Sequence, residues 1–76
     1  MAERCQQPGG EIRAGDRVAH RYRPGRVGRV DEVVKRGERF FPLDVDREIN
    51  CVAWVKWEGG QKLVVEPVAD LIKWAP

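Results

Sequence analysis

Glycine and proline punctuate this chain so densely that no ordinary helix has room to form. Gly15, Pro24-Gly25, Gly28, Gly37, Pro42, Gly59-Gly60 and Pro67 cut the sequence into short pieces. Every helix-length window is interrupted by one of them or by β-branched and aromatic strand formers. The pieces themselves are rich in valine, tryptophan and arginine. The fold class that follows is all-β.

Local chemistry assigns the elements. Gly15-Asp16 is a turn before a first strand over 17–22, with Val18 and His20 on one face. Pro24-Gly25 reads as the next turn, and 27–34 as the second and longest strand. Its valines fall at 27, 30 and 33–34, which breaks strict alternation and calls for a bulge or sharp bend near Gly28. Residues 35–50 read as a long loop with a short strand over 39–43. Residues 51–57 are the clearest strand, and Glu58-Gly59-Gly60-Gln61 has the chemistry of a tight hairpin into an antiparallel return over 62–66. Residues 67–71 suit one 3-10 turn, and 72–74 a last short strand.

The chain has 76 residues, enough for one domain. A domain of this size buries only about 60–65% of its unfolded surface, so a binding site belongs on the surface or between subunits. Residues 1–10 are polar and aperiodic and read as an unstructured lead-in, which leaves 11–76 as the folded unit. No apolar leader or membrane-length stretch is visible in the sequence, so no membrane partner is expected. The two cysteines, Cys5 and Cys51, make no metal motif, and a structural disulfide is not expected between a tail and a strand. A reducing cytoplasm is the expected location.

Charge is unevenly spread. Residues 13–39 carry nine basic and four acidic side chains, while 40–76 carry four basic and six acidic ones. Arginine outnumbers lysine ten to four, and its planar fork suits phosphate and carboxylate partners. The chain contains neither serine nor threonine, which removes hydroxyl nucleophiles. Cys51 is expected to act as a small hydrophobe. His20, the only histidine, is expected to be an ordinary strand residue. Asp44, Asp46 and Glu48 lack the spacing of a calcium loop and read as a solvated acidic stretch. No catalytic residue, metal site or cofactor is therefore expected, and the chain reads as non-enzymatic.

Alternation in 51–57 places Cys51, Ala53, Val55 and Trp57 on one face, and Val52, Trp54 and Lys56 on the other. If the first set is the core, Trp54 stands outside, either as a stacking platform or packed under the 35–50 loop. Arginines interleaved with aromatics make a footprint suited to RNA or single-stranded DNA. The expected nucleic-acid-binding residues are Arg17, Arg21, Tyr22, Arg23, Arg26, Arg29, Trp54 and Lys56. The alternative is a protein-interaction or homo-oligomeric assembly module.

Five short strands with a one-turn helix before the last resemble the SH3-like barrels, and three branches of that superfamily are echoed in part. Gly25-Arg26-Val27-Gly28-Arg29-Val30-Asp31-Glu32-Val33 resembles the KOW element of ribosomal proteins and elongation factors, with Pro24 where that family has lysine. The resemblance implies a loop that contacts RNA. Trp54-Val55-Lys56-Trp57-Glu58-Gly59 with Glu66-Pro67 and Asp70-Leu71 is similar to the hairpin of chromodomain-like barrels, without their closing helix. Gly15-Asp16-Arg17-Val18 and the segment 63–71 resemble the plasmid-borne type II dihydrofolate reductases. Leu63-Val64-Val65-Glu66 stands where that family has Val-Gln-Ile-Tyr. That resemblance implies the fold and a mobile-element origin, but not reductase activity.

Overall fold

The computed structural model describes residues 6, 7 and 10–74, with side chains from Glu11 onward. The strands are β1 (Gln6–Gln7), β2 (Gly10–Glu11), β3 (Arg17–His20), β4 (Arg23–Lys35), β5 (Cys51–Trp57), β6 (Leu63–Pro67) and β7 (Leu71–Lys73). A 3-10 turn, Val68–Asp70, separates β6 from β7. β1 and β2 pair as a two-residue ladder. The remaining five form one antiparallel sheet in the order β6-β5-β4-β3-β7. The all-β, five-stranded reading with a 3-10 turn holds. The sheet stays open, because no ladder joins its edge strands β6 and β7.

The Gly-Asp step works as its chemistry demands. Gly15 has φ +90, a conformation glycine adopts without steric cost. The Asp16 amide donates to the Arg13 carbonyl at 3.1 Å. In return the Asp16 carboxylate accepts the Arg13 amide at 2.8 Å. Gly15 and Asp16 then bond the Val30 backbone at 2.7 and 2.9 Å, which docks the turn onto β4.

β4 is the spine of the molecule. Its first half pairs with β3 and its second half with β5, and both ladders meet at Gly28, opposite Val18 and Trp57. A Cβ at Gly28 would lie 2.6 Å from the Lys56 carbonyl oxygen and 2.9 Å from Trp57 Cα. Glycine is needed there because backbone approaches backbone, not because a bulge sits there. The bulge comes three residues later, where the register with β5 slips between Val30 and Glu32. That slip sets Val33 opposite Ala53 and Val34 opposite Val52, which accounts for the broken valine alternation.

Several boundaries differ from expectation. β3 stops at His20, and the turn falls at Arg21-Tyr22, so Pro24-Gly25 lies inside β4. A second register irregularity follows Ala19, where Gly25 takes φ +82. Residues 36–50 form no strand, so the short strand over 39–43 is absent. Local bonds hold that segment instead: the Lys35 amide donates to Glu38 Oε1 at 2.6 Å, and the Phe41 amide to the Glu38 carbonyl at 3.2 Å.

The core comprises Ile12, Val18, Val30, Ala53, Val55, Trp57, Val68 and Leu71, with Val33 and Cys51 packed at its margin. The Ala53–Val55–Trp57 face of β5 is thus the inner one. Val52 and Val34 are also buried, but on the opposite face. Cys51 is disulfide-bonded, which corrects the expectation of a reduced cysteine. It occupies the half-buried first position of β5 rather than the closed interior, so its sulfur can reach a partner. Cys5 lies outside the described residues. A disulfide favours an oxidising setting, so the cysteines no longer support a reducing compartment. Among the described residues, no helix is long and apolar enough to cross a membrane.

Candidate functional site

Three groupings of polar or aromatic side chains stand out from the frame, and each is made by strand register. The first is a cationic row on the outer face. Arg17 on β3 lies opposite Arg29 on β4, and Arg29 lies opposite Lys56 on β5. With strands about 4.8 Å apart, three positive charges fall within about 10 Å. The Arg17 guanidinium pairs with Glu58 at 3.1 Å, where both side chains are well exposed. Among the described residues, Arg29 and Lys56 have no ion-pair partner. The Trp74 amide donates to the Arg17 carbonyl at 2.8 Å, which places Trp74 at the end of the row. Trp74 is 44% exposed, and its ring lies 4.9 Å from the Arg17 guanidinium.

The other expected site residues do not extend this row. Arg21, Tyr22 and Arg23 sit at the β3–β4 turn. There the Arg21 guanidinium lies 5.7 Å from the exposed Tyr22 ring and donates to the Ala69 carbonyl at 3.5 Å. Arg26 covers the ring of Trp57 at 5.1 Å and so belongs to the core side of the sheet. Trp54 shares the outer face of β5 with Lys56, but it is half-buried beneath the 36–50 segment. The geometry therefore favours packing under the loop over a bare stacking platform.

The second grouping stands at the open side of the sheet. His20 on β3 and Glu66 on β6 face one another, with side chains only 7% and 14% exposed. The Tyr22 amide donates to His20 Nδ1 at 3.1 Å. His20 Nε2 lies 3.6 Å from Glu66 Oε1. Trp57 Nε1 donates to Glu66 Oε2 at 3.1 Å. No local pattern joins these residues, because their proximity comes from the curl of the sheet.

With Asp70 they offer three ligand atoms within 4.8 Å of one another, a spacing a metal could contract. The hydrogen bonding argues against that use. A neutral imidazole that accepts at Nδ1 carries its proton on Nε2, the atom aimed at the carboxylate. A protonated nitrogen offers no lone pair to a cation. The cluster is better described as a clasp between β3 and β6, across the gap that backbone pairing leaves open.

The third grouping is a pocket of about 510 Å³ between residues 42–49 and the outer face of β5 and β6. Val52, Trp54, Val65 and Pro67 form its floor, and Asp44 and Asp46 stand among its walls. Arg36 holds the overlying loop. Its Nη2 donates to the Asp46 and Ile49 carbonyls at 2.6 and 2.7 Å, and its Nε donates to Ile49 at 3.0 Å. The guanidinium also lies 4.7 Å from the Phe41 ring. A planar fork can satisfy several carbonyls at once, which a lysine cannot. The acidic run was the signal in the sequence, but nothing local linked it to Trp54 or to Arg36.

Comparison with known proteins supplies no further constraint: no protein-family model, no curated protein and no solved structure matches the chain.

Proposed function

We propose that the chain is a non-enzymatic binding module of SH3-like strand arrangement that takes single-stranded nucleic acid on the outer face of β3, β4 and β5. The strand order, with a 3-10 turn before the last strand, supports that arrangement. The single observation that carries the reading is the Arg17–Arg29–Lys56 row ending at Trp74. Like charges directly opposite on neighbouring strands oppose folding. A polyanion laid across them converts that repulsion into attraction, and an exposed indole adds a surface for one base to stack upon.

The test is fluorescence anisotropy with labelled single-stranded RNA and DNA oligonucleotides over a salt series. Three phosphate contacts predict a log–log salt slope of about −2. Arg29→Glu should weaken binding about tenfold or more. Salt-independent binding, or none at low salt, would remove this reading.

A second reading, self-association, is favoured by the edges of the sheet. Leu63 and Val64 on β6 and Ile72 on β7 are exposed apolar residues on strands with one unpaired side. Such edges invite pairing with another chain. Sedimentation equilibrium decides it: a monomer at all loadings excludes assembly, and a dimer disrupted by Val64→Lys supports it.

A further inference from the structure

We propose that the pocket beneath the 36–50 loop is a binding site for a small organic cation with an apolar body, an aryl- or alkylammonium. The site is independent of the proposed nucleic-acid face, because it uses none of Arg17, Arg29, Lys56 and Trp74. Its volume, about 510 Å³, lies within the range of sites that enclose small organic ligands.

Its chemistry is divided. The floor of Val52, Trp54, Val65 and Pro67 is apolar and already partly withdrawn from water. The carboxylates of Asp44 and Asp46 stand at the exposed rim, and among the described residues neither has an ion-pair partner. Of the three arginines in the loop, Arg36 is committed to the carbonyls of Val45, Asp46 and Ile49, Arg39 lies 5.7 Å from the Phe40 ring, and among the described residues Arg47 forms no ion pair with either aspartate.

Charge complementarity therefore selects a cation, and the floor selects one that carries hydrocarbon. The indole of Trp54 can receive the apolar body or the charge itself, since a cation over an indole face is attracted by the ring quadrupole. A hard metal ion fits poorly, because it requires six or more oxygens and gains nothing from valines and an indole. Anions are repelled by the rim. The Arg36 brace fixes the loop before a ligand arrives, so little ordering cost opposes binding.

The test is an NMR titration of the full chain with phenethylammonium chloride, with phenylacetate and calcium chloride as separate arms. Saturable shifts at the Trp54 indole and the Val65 methyls with phenethylammonium alone are expected. Asp44→Asn with Asp46→Asn should weaken that binding about tenfold, and both sites are exposed enough to leave the fold intact. Arg29→Glu should leave it unchanged, so loss of nucleic-acid binding and loss of cation binding are separable. A comparable response to phenylacetate, saturation by calcium at the same residues, retention of affinity in the double variant, or no shift at millimolar amine would each overturn the proposal.

Discussion

Two halves of one outer sheet surface carry opposite chemistry. On the half made by β3 and the first part of β4, Arg17, Arg29 and Lys56 are exposed side by side, with Glu58 and Trp74 touching Arg17. On the half made by the later part of β4 with β5 and β6, Val52, Trp54, Val65 and Pro67 lie under a braced loop that presents Asp44 and Asp46. Both halves share β4 and β5, so strand identity does not separate them. A one-residue slip between Val30 and Glu32 does. Before it, the outward residue of β4 is an arginine, and after it a valine turns outward and requires a roof. Sheet register decides which side chains meet water.

The largest expected effect tests whether the two halves depend on one crossing point. Gly28→Ala drives a Cβ into the Lys56 carbonyl and Trp57 Cα, and backbone cannot move aside as a side-chain tip can. A loss of about 3 kcal/mol is expected in urea unfolding. An unchanged midpoint would mean that the ladders do not meet as described.

Next, Glu66→Ala leaves the indole N–H of Trp57 without its acceptor and removes the carboxylate that faces the His20 ring. A cost of about 2 kcal/mol is expected, measured by thermal and urea unfolding together. Glu66→Gln should recover part of it, because an amide oxygen still accepts. Equal loss in both variants would show that the clasp depends on charge rather than on geometry.

The roofed half should then loosen alone in Arg36→Lys. Lysine keeps the charge but cannot fork to Asp46 and Ile49, and a loss of about 1 kcal/mol is expected for so exposed a group. Amide exchange should accelerate within 38–50 while β3 stays protected, and acceleration throughout would erase the distinction between the halves.

The smallest effect sharpens the comparison most. Arg29→Glu replaces two like-charge neighbours with two attractive ones. Stability should rise by about 0.5 kcal/mol while oligonucleotide affinity falls. A fall in both would mean that Arg29 serves the fold rather than a polyanion.

The strands over 51–57, the Gly15-Asp16 turn and the 3-10 turn were legible because each is decided within a few residues. Val and Trp suit a pleated surface, Gly15 supplies a positive φ, and Pro67 starts a turn that a strand cannot continue. The β3–β4 turn was misplaced because Pro24-Gly25 carries the local signature, while the sheet turned at Arg21-Tyr22 and absorbed the pair into β4. Arg17, Arg29 and Lys56 were named individually, but their adjacency depends on two ladders between distant segments. Alternation left two candidate faces for Trp54; the fold placed it on the outer one, and only the loop determined that it would be covered.

Chemistry confined to neighbours along the chain was therefore enough to specify an all-strand protein, several of its turns and the two candidate faces of β5, while the choice of inner face fell to the fold. Placement across the sheet required the folded backbone. The bulge after Val30, the clasp of His20 with Glu66 and the pocket walled by Asp44 and Asp46 each join residues far apart in sequence. Such pairings are selected by the curl of the whole open sheet around one small core, and no local preference encodes them.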